Sequence, residues 1–106
     1  MKKTVNIIIP AITINLELLK CLKEINKIHY SNFFVSILLD RNSKRKIPKF
    51  RYKLNKLVVG KINMSKKRNI AAKKFRSEYI AFIDSDAYPN RNWLKLAIKY
   101  LKQKKR

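Results

Sequence analysis

Short apolar runs alternate with longer segments of mixed polarity along the whole chain. The apolar runs are brief, rich in β-branched residues and bounded by turn-forming residues, as is typical of buried strands. Proline closes the first run, an aspartate follows the second and the fourth, and the only glycine of the chain lies just after the third. The pattern predicts strands at residues 5–9, 33–39, 57–59 and 79–83.

Three segments between these runs have the spacing of helices. An apolar residue recurs every three positions from 16 to 28, with charged residues between, which predicts an amphipathic helix over that range. Ser65 is predicted to cap a second helix that continues to Arg76. A third helix is predicted over about 91–103, with an apolar face formed by Leu94, Ala97, Ile98 and Leu101.

The order of these elements is strand, helix, strand, strand, helix, strand, helix. Alternation of buried strands with helices favours the α/β class, with a mainly parallel sheet. The 106 residues are enough for one domain with one core, and neither a repeat nor a linker interrupts them. We therefore expect a single domain over residues 1–106, with a basic, frayed tail at 102–106.

Charge narrows the classes of partner. The chain carries 27 basic against 6 acidic side chains, a formal net charge of +21, so an anionic partner is expected. Nucleic acid, an anionic membrane surface and a phosphorylated ligand all meet that requirement. The single cysteine, Cys21, excludes a disulfide framework and is predicted to lie in the core. We expect neither a signal peptide nor a membrane span, and a cytoplasmic location.

The rare aspartates carry the most information. There are three, and Asp40 and Asp84 each directly follow a predicted strand. Ligands of open parallel sheets bind outside the carboxyl ends of the strands, so the pattern predicts a site there. The alternative is that each aspartate only begins a turn, which this residue does well. Because two strand ends carry one, we favour a site.

Two further features fit a phosphorylated ligand. In Asp84-Ser85-Asp86, an extended backbone places both carboxylates on one side, and such oxygens suit Mg²⁺ or Mn²⁺. Ser65-Lys66-Lys67-Arg68-Asn69 opens a helix, where Arg68 could bind a phosphate through two hydrogen bonds. The alternative for that basic stretch is a solvated helix face, and the sequence leaves both open.

Three segments together resemble the N-terminal, nucleotide-sugar-binding half of family 2 glycosyltransferases. They are VNIIIPAIT, HYSNFFVSILLDRNS and KKRNIAAKKFRSEYIAFIDSDAYPNRNWL, of which the last is the most specific. The resemblance implies a Rossmann-like three-layer sandwich of the GT-A type, incomplete in this chain. It also implies transfer of sugar from a nucleoside diphosphate sugar to a glycan or lipid-linked acceptor, as in the biosynthesis of cell-surface polysaccharides.

The resemblance also implies roles for individual residues. Asp40 would contact the base or the ribose, and Arg68 would lie near the nucleotide. Asp84 would face the ribose and the sugar, and Asp86 would bind a divalent metal, Mn²⁺ or Mg²⁺, that bridges the diphosphate. The base pocket would be lined by the loop after the first strand. The implied nucleotide-sugar contacts are Pro10, Ala11, Thr13, Asp40, Arg68, Asp84 and Ser85, and the implied metal ligands are Asp86 and Asp84.

The sequence also departs from the family pattern. Ile12 and Thr13 stand where an aromatic residue and Asn are usual, and Arg41 stands where Asp or Asn is usual. Asn63 replaces a usual glycine, in a turn where we expect it to tolerate a left-handed backbone.

No acidic residue follows Asp86, so no catalytic base can be named. We therefore expect a truncated domain that does not transfer sugar alone, and whose exposed apolar surface meets a complementary C-terminal half or a second copy.

A nucleic-acid-binding protein is the main alternative. Its support is the total charge and the basic segment 41–56, which contains Phe50 and Tyr52. Because nucleic-acid binding does not need Asp40, Asp84 and Asp86, we do not expect specific binding of this kind. Peripheral attachment to the cytoplasmic face of a membrane is an addition to the sugar-transfer hypothesis. His29 is interpreted as a helix-end residue, and Trp93 is expected to pack against the sheet.

Overall fold

The computed structural model describes the backbone of residues 4–104 and the side chains of residues 4–99. The predicted order of elements is confirmed. The strands are β1 (Val5–Ala11), β2 (Phe33–Leu39), β3 (Lys53–Val58) and β4 (Tyr79–Phe82), and the helices are α1 (Leu16–Ile25), α2 (Met64–Lys74) and α3 (Trp93–Lys104). The predicted frayed tail is helical at 102–104, and its last two residues lie outside the described residues, as does the side chain of Leu101.

The four strands form one sheet in the order β3-β2-β1-β4, and every neighbouring pair is parallel. On one face, the odd-numbered residues of β1 pack in the main core with buried residues of α1 and α3. On the other face, Ile8 and Leu38 pack against Ala71 of α2. The arrangement is a three-layer α/β sandwich, as predicted, with the strands all parallel.

β1 and β2 lie in the middle of the sheet with cover on both faces, so nearly all of their residues are buried. Burial on both faces explains why the sequences of β1 and β2 are nearly continuous apolar runs. One polar residue interrupts β1: the side chain of Asn6 is fully buried. Its amide donates to the carbonyl of Phe75 at the end of α2 and accepts from the hydroxyl of Ser36, so both hydrogen-bonding functions are satisfied.

The boundaries of three strands differ from the prediction. β1 continues through Pro10 to Ala11, because β4 pairs with β1 only as far as Ile8 and a missing N–H is tolerated beyond that point. β3 begins at Lys53, four residues before its predicted start. As an edge strand it is only partly buried, so its polar first half carries no apolar signal. β4 ends at Phe82, one residue early.

The helix predictions need similar corrections. α1 ends at Ile25, and Leu16 is 58% exposed, because the buried face is Leu18, Cys21, Leu22 and Ile25. α2 is capped by Asn63, whose side chain accepts from the backbone N–H of Lys66, and not by Ser65. It ends at Lys74, not Arg76, and α3 begins at Trp93 rather than at 91.

The expected left-handed turn is also displaced. Asn63 has an extended backbone, with φ −71° and ψ 164°, and does not adopt the left-handed conformation. Among the described residues, positive φ occurs only at Gly60, at +83°. Glycine takes this conformation without steric cost, so the left-handed position lies three residues earlier than expected.

Candidate functional site

The order of the strands locates a crevice. β1 has β2 on one side and β4 on the other. The chain passes from β1 to β2 through α1 on one face of the sheet, and it returns from β3 to β4 through α2 on the other face. In open α/β sheets, ligands bind outside the carboxyl ends of the strands at this kind of switch point. The loop that follows β1 and the segment that follows β4 begin there. The edge formed by these strand ends, together with the end of β2, is called the carboxyl edge below.

Asp40 lies on this edge immediately after β2, and its carboxylate is paired with a lysine. The ammonium of Lys67, one turn into α2, donates to Asp40 Oδ1 and to the backbone carbonyl of Ala11 at 3.1 Å. Lys67 is 4% exposed and Asp40 is 16% exposed. The backbone N–H of Asp40 donates to the carbonyl of Ile12 at 2.9 Å. The ends of β1, β2 and the start of α2 are therefore tied together at one buried ion pair.

A second, looser pair lies beside the first. Arg68 Nη2 is 4.0 Å from Asp84 Oδ1, and the side chain of Asp84 is 68% exposed. The guanidinium also lies 5.1 Å from the centre of the Phe82 ring, within the range of a cation–π contact. Within residues 4–104, Arg68 Nε is buried without a hydrogen-bond partner. The guanidinium therefore keeps donor capacity that the chain itself does not use.

Asp84 and Asp86 flank a tight turn, in which the backbone N–H of Ala87 donates to the carbonyl of Asp84 at 3.0 Å. Both carboxylates are exposed. Cys21 lies beneath them in α1, with Sγ 3.9 Å from the carbonyl oxygen of Asp84. Burial raises the pKa of this thiol to about 12, and the negative charge of Asp86 adds to the rise. Cys21 is therefore a neutral core residue, as predicted, and not a nucleophile.

The other residues predicted for the site lie on the same edge. Pro10 and Ala11 are buried, so they offer backbone more than side chain. Thr13 is partly buried, and its hydroxyl donates to the carbonyl of Asn42 at 3.5 Å. Ser85 is partly buried in the turn between the two aspartates. Ile12, which replaces a usual aromatic residue, is 57% exposed beside them.

Lys67 is a residue that the sequence interpretation did not single out. The sequence leaves two interpretations open for the five residues from Ser65 to Asn69, an anion site or a solvated face. In the structure these residues differ in burial. Lys67 turns inward with Ala71, four residues later, while Lys66 is exposed. That spacing is one helical turn, so the inward phase of α2 is the signal that could have identified Lys67.

The carboxylates suit a divalent cation in their chemistry. Mg²⁺ in proteins is commonly held by one or two carboxylates, with phosphate oxygens and water completing the shell. Asp84 and Asp86 supply two such groups on an exposed turn. Across residues 4–104, no cluster of three or more His, Cys, Asp or Glu side chains forms a metal cage. The donor set fits an ion shared with a phosphorylated ligand better than a closed structural site.

The aromatic residues of the basic segment 41–56 have structural contacts. Tyr52 is buried, and its hydroxyl donates to the carbonyl of Leu22 at 2.9 Å. Phe50 stacks on Tyr52 with ring centres 5.1 Å apart. Arg51 Nε donates to the carbonyl of Asn26 at 2.8 Å, and its Nη2 donates to that of Ile28, just beyond the end of α1. The segment therefore fastens the end of α1, and it does not present Tyr52 for stacking on bases.

A surface cavity of about 600 Å³ lies along the outer side of α1. Its lining residues are Lys20, Lys23, Glu24, Asn26, Lys27, Phe50 and Tyr88. Lys27 is already paired with Glu24 at 3.0 Å. None of the predicted site residues lines this cavity, although Tyr88 lies only two residues after Asp86.

His29 and Trp93 make contacts within the fold. His29 lies four residues beyond the end of α1, so it is not the helix-end residue that was predicted. Its Nδ1 is 3.0 Å from Asn92 Oδ1, and its backbone N–H donates to the carbonyl of Arg91. Trp93 is partly buried and packs against the main core. Within the described part of the chain, no helix is both long enough and apolar enough to cross a membrane.

Comparisons with solved structures show the fold. The crystal structure of S. aureus TarS 1–349 matches with a TM-score of 0.76 and 23% identity, over 94% of this chain and 32% of that one. The same fragment in complex with UDP-GlcNAc gives 0.77, again at 23% identity, over 94% and 31% of the two chains. Its complex with UDP gives 0.76 at the same identity, over 94% and 32%. This chain therefore spans about a third of the TarS fragment.

Sequence comparison supplies the family. A search of curated proteins found no match. The profile of the family described as Glycosyl transferase family 2 matches residues 6–106, which is nearly the whole chain and includes every residue of the carboxyl edge discussed above. The fold agrees, since the matched TarS structures share the parallel sheet and its flanking helices. The chain belongs to glycosyltransferase family 2, and its α/β sandwich is of the GT-A type.

Proposed function

We propose that this domain binds a nucleoside diphosphate sugar at the carboxyl edge of its sheet and serves in transfer of the sugar. The observation that carries the proposal is the set of charged residues along the carboxyl edge: Asp40 follows β2, Asp84 and Asp86 follow β4, and Arg68 at the start of α2 lies 4.0 Å from Asp84. A phosphorylated ligand needs cationic donors and, with a metal, carboxylates. Two TarS structures of the same fold contain UDP-GlcNAc and UDP, which supports a donor of this class.

Different residues of the carboxyl edge would contact different parts of the ligand. Asp40, fixed at the end of β2, would accept a hydrogen bond from the base or ribose. Pro10 and Ala11 at the end of β1, and Thr13 in the loop that follows, would lie beside it. Arg68 has unused donors and a partly exposed side chain, so it would bind an anionic or carbonyl oxygen of the nucleotide. Asp84 and Ser85 would face the ribose and the sugar, since they lie on the exposed turn after β4.

Asp86, with Asp84, would hold a divalent cation, Mn²⁺ or Mg²⁺, on that turn. When bound, such a cation acts as a Lewis acid that neutralises charge on a departing diphosphate. Asp86 is exposed, so its carboxylate can approach both the ion and solvent. The excess of basic charge around the edge would attract the anionic donor before any specific contact forms.

The proposal also covers the acceptor of the sugar. We infer a glycan or lipid-linked acceptor and a role in cell-surface polysaccharide biosynthesis, from the family alone. No carboxylate follows Asp86 in the 106 residues, so these residues assign no base to deprotonate an acceptor hydroxyl. The 106-residue chain by itself is expected to bind the donor without transferring its sugar.

The donor proposal is tested by thermal unfolding with nucleotide and metal. A ligand that binds only the folded state raises the unfolding temperature, and at a fixed concentration the rise is larger for tighter binding. UDP or GDP should therefore raise the unfolding temperature of the wild type more with Mn²⁺ than without it. Asp86→Asn should lose that Mn²⁺-dependent increment. The matched control is Glu24→Gln, which removes one carboxylate at the far end of α1 and should keep the increment. An equal increment in the Asp86 variant would contradict the metal assignment.

We propose a peripheral location on an anionic membrane surface, supported by the net charge of +21. Juxtaposed lysines on the outer side of α1, at positions 20, 23 and 27, would face such a surface without involving the carboxyl edge. Vesicles with anionic lipid should retain the protein at physiological salt, and vesicles of neutral lipid should not. Equal retention, or none, by the two vesicle types would contradict this location.

The free edge of β4 is the surface where we propose that further polypeptide packs, from a longer chain or from a second copy. Within the described residues, β4 pairs only with β1, and Ile80 and Phe82 are 44% and 48% exposed. Exposed apolar residues beside an unpaired strand favour association. Light scattering of the 106-residue chain should show concentration-dependent dimers that Ile80→Thr weakens. A monomer at all concentrations would exclude the second copy.

A further inference from the structure

Lys67 is a buried cation at a position that ordinary helix chemistry disfavours. It lies near the N-terminal end of α2, where the partial positive charge of the helix opposes another cation. It is also 4% exposed, so its ammonium has lost nearly all its water. An apolar residue of similar length would fill the same space without either penalty. Departures of this kind from local rules are expected at functional positions.

The ammonium of Lys67 contacts one group at the end of β1 and one directly after β2. It donates to Asp40 Oδ1, after β2, and to the carbonyl of Ala11, the last residue of β1. The backbone of Asp40 is fixed separately, through its N–H to the carbonyl of Ile12. Backbone and carboxylate of Asp40 are thus both restrained, and the direction of the carboxylate depends on Lys67.

We propose that Lys67 is a positioning residue that fixes the Asp40 carboxylate for an N–H of the nucleobase, and so helps to set which base is accepted. The inference rests on the proposed function, because it presumes a nucleotide at the carboxyl edge. Oδ1 of Asp40 is occupied by Lys67, which leaves the other oxygen for the ligand. A fixed acceptor rejects a base that lacks a matching donor, whereas a carboxylate that can rotate accommodates several.

The test compares Lys67→Met with Lys66→Met. Both changes remove one positive charge from the same turn of α2, but Lys66 is exposed and has no part in the proposed site. Titration calorimetry with UDP, GDP, CDP and ADP in the presence of Mn²⁺ gives the affinity of each variant for each base. Mn²⁺ with inorganic pyrophosphate serves as a probe that has no base.

Lys67→Met should weaken the preferred nucleotide by about tenfold or more, the loss expected when a hydrogen bond to a charged group is misplaced. The ratio between the best and the poorest base should shrink, and pyrophosphate should bind within about twofold of wild type, since a well-separated contact is unaffected. Lys66→Met should keep the wild-type ratio.

Two results would overturn the inference while the proposed function stands: an unchanged ratio between bases, or an equal loss of affinity for pyrophosphate. The second would mean a structural role only. The wild type decides the proposed function separately. If the folded wild type bound no nucleotide, the donor site would fail, and the role of Lys67 would fail with it.

Removal of one member of a buried ion pair can prevent folding. In that event, Lys67→Arg is compared with the wild type, because it keeps both charges of the pair while the larger, planar guanidinium meets the Asp40 carboxylate in a different geometry. The ratio between the best and the poorest base should change, and pyrophosphate should bind within about twofold of wild type. An unchanged ratio would contradict the proposal.

Discussion

At the scale of single residues, the carboxyl edge holds its charges in two pairs of different character. The Lys67–Asp40 pair is buried, and it is fixed from both sides by backbone contacts. The Arg68–Asp84 pair is open to solvent, with atoms 4.0 Å apart. An exposed pair of this kind contributes about 0–1 kcal/mol to stability, so a ligand can separate it at little cost. A nucleotide would therefore meet a fixed carboxylate and a movable guanidinium.

Cys21 provides a prediction at the same scale. Its thiol has a pKa of about 12 in the folded chain, against about 8.5 for an ordinary cysteine. The raised pKa favours the neutral thiol, so its contribution to stability is complete below about pH 8.5 and is lost as the pH rises toward 12. At about pH 9, a thiol reagent should modify the native protein very slowly and the urea-unfolded protein rapidly. Comparable rates would mean that the space beneath Asp84 opens readily.

Part of this residue-scale arrangement can be predicted from the sequence. Asp40 and Asp84 follow apolar runs, and the carboxyl ends of parallel strands share one edge, so their proximity follows from the pattern. The partner of Asp40 does not follow. Lys67 and Lys66 are identical in type and adjacent, and only the rotation of α2 against the sheet decides which of them is buried. That rotation is fixed by tertiary packing, of which Ala71 is a part.

At the scale of elements, the start of α2 matters most, because it brings Lys67 and Arg68 to the edge. Gly60 supplies the left-handed turn, and Asn63 then caps the helix by accepting from the N–H of Lys66 at 2.8 Å. The cap fixes where the first helical turn begins. Lys67 and Arg68 follow within about one helical turn of that start.

Asn63→Ala is expected to lower the free energy of unfolding by about 1 kcal/mol, the usual cost of losing an N-cap side chain. Ser65→Ala is the matched control and should change it by less than about 0.5 kcal/mol, because Ser65 is an exposed residue within the helix. Urea unfolding of the two variants measures both values. A larger loss for Ser65→Ala would restore the cap predicted from the sequence and contradict the observed one.

The elements themselves were predictable because the sheet is covered on both faces at its centre. β1 and β2 need apolar residues at nearly every position, and this leaves a clear signal. β3 shows the limit. It lies at the edge, and Lys53, Asn55 and Lys56 belong to it, so only its last residues look like a strand. The first half of β3 is a strand because it hydrogen-bonds to β2, and this pairing leaves no pattern of apolar residues in the local sequence.

At the scale of the whole molecule, the chain is compact in spite of its charge. Its radius of gyration is 13.6 Å, close to the value of about 13 Å for a folded domain of 100 residues. Six acidic side chains against 27 basic ones leave most of the positive charge without a partner of opposite sign. Self-repulsion on this scale lowers the stability of the compact state.

Salt should therefore stabilise this protein. Raising NaCl from about 0.05 M to about 0.5 M shortens the range of charge repulsion to a few ångströms. The free energy of unfolding, measured with urea, should rise by about 1 kcal/mol or more. Urea is preferred to guanidinium chloride because it adds no ions. A fall in stability with salt would mean that attractive pairs, and not repulsion, dominate the surface.

The central claim is that the carboxyl edge binds a nucleotide with a divalent cation, and calorimetric titration tests it most directly. UDP and GDP are titrated into the wild type with and without Mn²⁺, and into Asp86→Ala under the same conditions. The account predicts binding of one nucleotide that Mn²⁺ strengthens, and at least about a tenfold loss of that strengthening in the variant. Failure of a demonstrably folded wild type to bind either nucleotide, or identical binding by Asp86→Ala, would contradict it.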